Sequence, residues 1–66
     1  MRDPKRIDEL MPKLTQFWHQ VPDWRFCQLM SNLMGFVYTD TNLDPWFIED
    51  DKFEELLDTY IQKYKE

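Results

Sequence analysis

The chain has 66 residues, of which 42% are hydrophobic, 17% aromatic and 32% charged, with a formal net charge of −5. Such a composition excludes a disordered chain and allows one domain, 1–66, whose single core supplies only about 3–5 kcal/mol of net stability. One cysteine and one histidine cannot build a disulfide framework and leave too few soft ligands for a structural metal, and no apolar run approaches a membrane span of ~20 residues.

Asp3-Pro4 reads as an N-cap followed by the proline that tolerates a missing N–H at the first helical position. Ile7, Leu10, Met11, Leu14, Phe17 and Trp18 then recur at three- and four-residue steps and predict one helix over about 4–20. Pro12 lies within it, removes a backbone bond and crowds the carbonyl of Asp8, so a kink is expected near residues 8–12. The stripe keeps its phase across the proline, which favours one bent helix over two.

Val21-Pro22-Asp23 breaks the pattern, and Phe26, Leu29, Met30 and Leu33 begin a second stripe. Gly35, the only glycine, stands where a C′ residue would end that helix, so the second element is expected over about 23–34. The short turn predicts that the first two helices pack antiparallel or steeply crossed. Residues 36–48 lose helical phase: Phe36-Val37-Tyr38 and Trp46-Phe47-Ile48 form either an ordered aromatic loop or a minimal hairpin. Glu49, Asp50 and Asp51 place negative charge where a helix dipole favours it, and Asp51 with Glu54 fits a variant capping box. Phe53, Leu56, Leu57, Tyr60, Ile61 and Tyr64 follow as the cleanest stripe in the chain, a helix over about 50–64.

The expected fold is therefore all-α, a small three-helix domain. Its expected core is Ile7, Leu10, Leu14, Phe17, Trp18, Phe26, Leu29, Met30, Leu33, Phe53, Leu56, Leu57, Tyr60 and Ile61. So small a core makes self-association a plausible further source of stability.

Charge divides along the chain. Residues 1–20 carry four basic and three acidic side chains, whereas residues 40–66 carry nine acids and three lysines. An acidic half argues against direct nucleic-acid binding, which needs clustered Lys and Arg. Glu49, Asp50, Asp51, Glu54, Glu55 and Asp58 instead form an acidic face. It is either a solvated helix surface or a patch that meets a basic partner. Arg25, the one cation of the middle third, is expected to pair with Asp23 or with the Glu49–Asp51 cluster.

Few residues offer chemistry. Asp40, Asn42, Asp44 and Asp51 fall at positions 1, 3, 5 and 12 of a calcium-binding EF-hand loop, but Pro45 occupies the sixth position, where glycine is required. Turn and cap chemistry is the reading that survives. His19 is expected to lie exposed at a helix C-terminus, and Cys27 to act as a small buried or half-buried hydrophobe; nothing local pairs them as base and nucleophile. A lone glycine excludes a Gly-rich phosphate loop, and so short a chain rarely encloses a ligand cavity. The expectation is a protein that is not an enzyme, with no catalytic residue, cofactor or metal.

Five aromatic residues, Trp24, Phe36, Tyr38, Trp46 and Phe47, lie off the helical stripes. They either roof the core or form a contact surface, and Trp24, Tyr38, Trp46 and Phe47 are the candidate partner contacts.

Three strings, Arg2-Asp3-Pro4-Lys5-Arg6-Ile7, Pro22-Asp23-Trp24-Arg25-Phe26 with Gln28-Leu29, and Asp44-Pro45-Trp46-Phe47-Ile48-Glu49-Asp50-Asp51, resemble a family of small proteins of Gram-positive bacteria and their phages. That family shares an RDPxRI start, a PDxRxxQL middle and a DPFxxEDD segment, and Trp46 here replaces its usual phenylalanine after Asp-Pro. The resemblance implies a compact cytoplasmic bacterial or phage protein with no assigned chemistry. Beginning at Met1, the chain reads as a complete small gene product. Two functions fit: a non-catalytic protein-interaction module, self-associating or docking on a host protein, and an acidic phage-type inhibitor whose third helix imitates a nucleic-acid backbone to block a DNA- or RNA-binding enzyme.

Overall fold

A computed structural model describes residues 2–65. Three helices, α1 (Lys5–Gln20), α2 (Phe26–Thr41) and α3 (Asp50–Tyr64), are joined by a tight turn and by a single 3-10 turn at Pro45–Phe47. The all-α expectation holds, and among the described residues there is no strand.

The start of α1 follows from its sequence. The Asp3 carboxylate accepts the Lys5 N–H at 2.9 Å, and the proline at position 4 leaves no amide to satisfy. The helix continues unbroken through Pro12. Asp8 and Pro12 are both exposed, so the carbonyl deprived of its intrahelical donor faces water.

The second helix corrects the expected boundaries. It begins at Phe26 rather than 23 and runs through Gly35 to Thr41, seven residues beyond 34. Gly35 lacks the positive φ of a C′ residue; Asn42 supplies it instead, with φ 59°, and its N–H bonds the Tyr38 carbonyl at 2.7 Å. The reason lies in packing. Leu29, Leu33 and Val37 lie four residues apart and are all fully buried, so ending the helix at Gly35 would forfeit the burial of Val37. Burying one such side chain is worth about 1.5–3 kcal/mol, more than the ~1 kcal/mol a mid-helix glycine costs. No hairpin therefore forms over 36–48: residues 36–41 are helical, and the ordered aromatic loop is confined to 42–49 around the 3-10 turn. Thr41 also helps to close the helix: its hydroxyl donates to the Val37 carbonyl at 2.7 Å and accepts the Leu43 N–H at 3.1 Å.

The third helix keeps its expected span, but Glu49 rather than Asp51 occupies the N-cap position, and no side-chain capping bond forms there.

The ion pairs reveal how the helices run. Arg6 of α1 meets Asp50, Lys13 meets Glu54 and Asp58, and Phe17 packs edge-on against Tyr64 at 5.4 Å. Residue numbers rise together on both helices, so α1 and α3 are parallel neighbours and α2 is the return limb between them. Arg2 and Arg6 lie near the positive end of the α1 dipole, an unfavourable place that the acids at the α3 N-terminus offset.

The core consists of Phe17, Leu29, Leu33, Val37, Leu57, Tyr60 and Ile61, with Leu10, Leu14, Trp18, Trp24, Met30, Phe36, Phe53, Leu56 and Tyr64 packed around it. Two expected core residues are only partly covered: Ile7 is 50% and Phe26 52% exposed, each on the first turn of its helix, although the Phe26 ring still meets Trp18 of α1 at 5.6 Å. Cys27 is likewise exposed rather than buried.

Candidate functional site

The five off-stripe aromatics divide into two groups. Trp24 and Phe36 roof the core. Trp24 packs edge-on against Phe17 at 6.0 Å and Tyr64 at 5.9 Å, while Phe36 meets Tyr60 edge-on at 5.3 Å and stacks on Tyr64 at 6.3 Å. The Trp18 indole N–H donates to the Trp24 carbonyl at 2.9 Å, which pins the α1–α2 turn beneath the rings. The partner contact proposed for Trp24 thus falls on a half-buried ring engaged with its own core.

Tyr38, Trp46 and Phe47 point the other way. They are 56%, 86% and 73% exposed. Tyr38 shares the outer face of α2 with Met34 one helical turn earlier, and Leu43, 54% exposed, follows in the connecting turn. Trp46 and Phe47 stand on a backbone that is fixed rather than loose. The Asp44 carboxylate accepts the Trp46 N–H at 2.9 Å, the Asp44 carbonyl accepts the Phe47 N–H at 2.9 Å, and Pro45 presets the first 3-10 residue. Ile48 donates back to the Pro45 carbonyl at 3.1 Å. Behind this turn, Pro45 and Ile48 share a groove of about 250 Å³ with Leu10, Met34, Val37 and Phe53, which joins the turn to the body of the domain. The result is a corner on which two large rings stand in solvent on a pinned support.

The acidic face is arranged differently. Glu49 accepts two bonds from the Arg2 guanidinium at 2.8 and 3.1 Å, Asp50 pairs with Arg6, and Lys13 bridges Glu54 and Asp58 at 2.9 Å each. Glu55 faces Lys52 one turn away on its own helix at 3.6 Å. Hydrogen bonds donated to Glu54 and then to Asp58 raise the Lys13 ammonium above the ordinary lysine value. Among the described residues, Asp51 has no cation in contact; its carboxylate accepts the Lys52 N–H at 2.8 Å. Much of the α3 charge is therefore spent on α1. Two of the three motif strings meet in this seam, because Arg2 and Arg6 of the first hold Glu49 and Asp50 of the third. In the second string, Gln28 accepts the Arg25 N–H at 2.8 Å. Among the described residues Arg25 makes no ion pair, so its expected pairing with Asp23 or the Glu49–Asp51 cluster does not form.

The residues with potential chemistry are dispersed. His19 lies exposed at the end of α1, in a groove with Thr15, Trp18 and Pro22; Cys27 lies in another with Trp24, Gln28, Ser31 and Asn32. Of the EF-hand-like set, Asp40 accepts the Tyr60 hydroxyl at 2.8 Å and Asp44 caps the 3-10 turn, while Asn42 turns the backbone. Among the described residues no three His, Cys, Asp or Glu side chains cluster as metal ligands. Burial, followed by the hydrogen bond and charge of Asp40, pushes the Tyr60 hydroxyl well above the usual tyrosine range. No helix among the described residues is long and apolar enough to cross a membrane.

No family model matches the chain, and no curated protein or solved structure matches it either. The family resemblance rests on its three strings alone.

Proposed function

We propose that the protein is a non-catalytic protein-interaction module that engages its partner through the corner formed by Tyr38, Leu43, Trp46 and Phe47. The observation that carries this reading is the exposure of Trp46 and Phe47, 86% and 73%, on a turn whose own backbone bonds hold it in place. A large apolar ring left in water on a mobile loop costs little to hide by local collapse. On a pinned turn it stays available, and prior ordering lowers the entropy lost on binding. Trp and Tyr are also the side chains that most often dominate interface energetics.

Dispersal of His19 and Cys27 into separate open grooves weighs against a catalytic role. Engagement of Glu49, Asp50, Glu54 and Asp58 by Arg2, Arg6 and Lys13 weighs against imitation of a nucleic-acid backbone, which needs an unneutralised row of charge.

The test is a paired capture from bacterial lysate with the wild-type chain and with Trp46→Ala/Phe47→Ala, alongside sedimentation of each alone. The reading expects a partner, or a self-associated species, that the double variant loses while keeping its helical spectrum. Equal capture and equal mass for both proteins would refute it.

A further inference from the structure

From the charge around this corner, we infer that its partner is a cationic segment of another protein, an amphipathic stretch bearing one or two large apolar anchors among Lys and Arg, rather than a second copy of this chain. The inference rests on the interaction reading above and adds the chemistry of the occupant.

Two observations converge on it. From Phe26 to Asp51 the chain contains no Lys, Arg or His, so α2, the 3-10 turn and the first residues of α3 contribute no cationic side chain of their own. Asp44 lies within the aromatic stretch itself, and Asp51, with no cation in contact, follows four residues after Phe47, whereas Asp40 is turned to the other side of α2, where it accepts the Tyr60 hydroxyl. Glu49 and Asp50, in contrast, are taken up by Arg2 and Arg6. An isologous dimer through this corner would set Asp44 of one copy near that of the other, and would bring together two chains of net charge −5. An anionic lipid surface would be repelled in the same way. A cationic rim is the complement that remains.

Size points to the same occupant. If each side chain offers on the order of 200 Å², the exposed parts of Met34, Tyr38, Leu43, Trp46 and Phe47 amount to roughly 600 Å². That is below the ~800 Å² per partner of a standard protein–protein interface and suits a short segment bound transiently. The anchors would lie over Trp46 and Phe47, and the cations over Asp44 and Asp51, where Lys and Arg can also stack on the Trp46 ring.

The probes are three labelled amphipathic peptides with one shared Leu/Trp face and a polar face of Lys/Arg, Gln or Glu, titrated by fluorescence anisotropy. The Lys/Arg peptide should bind about tenfold more tightly than the Gln peptide, with the Glu peptide weakest. Raising the salt should narrow that gap, and Trp46→Ala/Phe47→Ala should abolish all three interactions. Asp44→Asn/Asp51→Asn, in which Asn still caps the turn, should weaken the Lys/Arg peptide roughly three- to tenfold and leave the Gln peptide unchanged.

Equal binding of Lys/Arg and Gln peptides, both lost in the aromatic variant, would overturn the cationic inference while leaving the interaction reading standing. A wild-type dimer abolished by the same variant would do likewise and would name a second copy as the occupant. Unchanged binding of the Lys/Arg peptide to the aromatic variant would overturn the inference by placing the contact elsewhere. Absence of any Trp46-dependent binding or association would overturn both.

Discussion

Replacing Gly35 with alanine gives opposite results under the two possible endings of α2. In the structure Gly35 is an interior helical residue, exposed, and a Cβ added there meets no atom within 4 Å. Alanine should then stabilise the fold by the difference in helix propensity and unfolded-chain entropy, about 0.5–1 kcal/mol. For a domain of this size that corresponds to a rise in Tm of about 2–8 °C. If the helix instead ended at Leu33 or Met34 with Gly35 as a left-handed C′ residue, the same alanine would cost roughly 1 kcal/mol or more and lower Tm. Thermal and urea unfolding followed by helical circular dichroism, at matched protein concentration, read the sign directly. A lowered midpoint would refute continuation of α2 to Thr41 and with it the placement of Tyr38 and Val37.

Leu33→Ala removes a fully buried side chain and should cost about 2–5 kcal/mol, comparable with the whole net stability of so small a domain, so urea titration should show a largely unfolded chain at room temperature. Trp46→Ala/Phe47→Ala should leave the urea midpoint within about 0.5 kcal/mol of wild type, because neither ring is in the core. Tyr60 predicts an alkaline limit. Its folded value is raised above the unfolded value of about 10, so its contribution is intact below that pH. Above it the unfolded chain releases the proton first and stability falls. Tyr60→Phe should be less stable than wild type near neutrality, having lost the bond to Asp40, and should lose less stability between neutral and strongly alkaline pH. Parallel pH profiles of the urea midpoint for the two proteins would contradict this. Lys13→Met should lower Tm more at low salt than at high salt, since Lys13 bridges Glu54 and Asp58 on the surface.

The three helices were legible because each carries an apolar stripe at helical spacing, and the stripe on α3 also fixed both its ends. Gly35 misled because its two uses, stop signal and tolerated interior residue, look alike in sequence; only the burial of Val37 and the left-handed Asn42 distinguish them. The phase 29, 33, 37 was present in the residues and is the signal that would have carried α2 past the glycine. Ile7 and Phe26 continue their stripes, yet a stripe does not say how completely the opposing elements cover it, and these two first-turn residues stay about half exposed even though Phe26 touches Trp18. The charge split between chain halves was visible, but its consequence required knowing that α1 and α3 run parallel, which brings Arg2, Arg6 and Lys13 onto the acidic face. Which off-stripe rings roof the core and which stand in solvent followed from the same geometry: Phe36 and Tyr38 lie on opposite sides of one helix that the sequence alone had ended too early.

Backbone chemical-shift mapping of the isotope-labelled chain, titrated with the Lys/Arg amphipathic peptide, tests the central claim most directly. The account predicts perturbations centred on Met34, Tyr38, Leu43 and the Trp46 indole, with α3 beyond its first turn unmoved. Perturbations running instead along Glu54, Glu55 and Asp58, with the Trp46 indole unshifted, would contradict it.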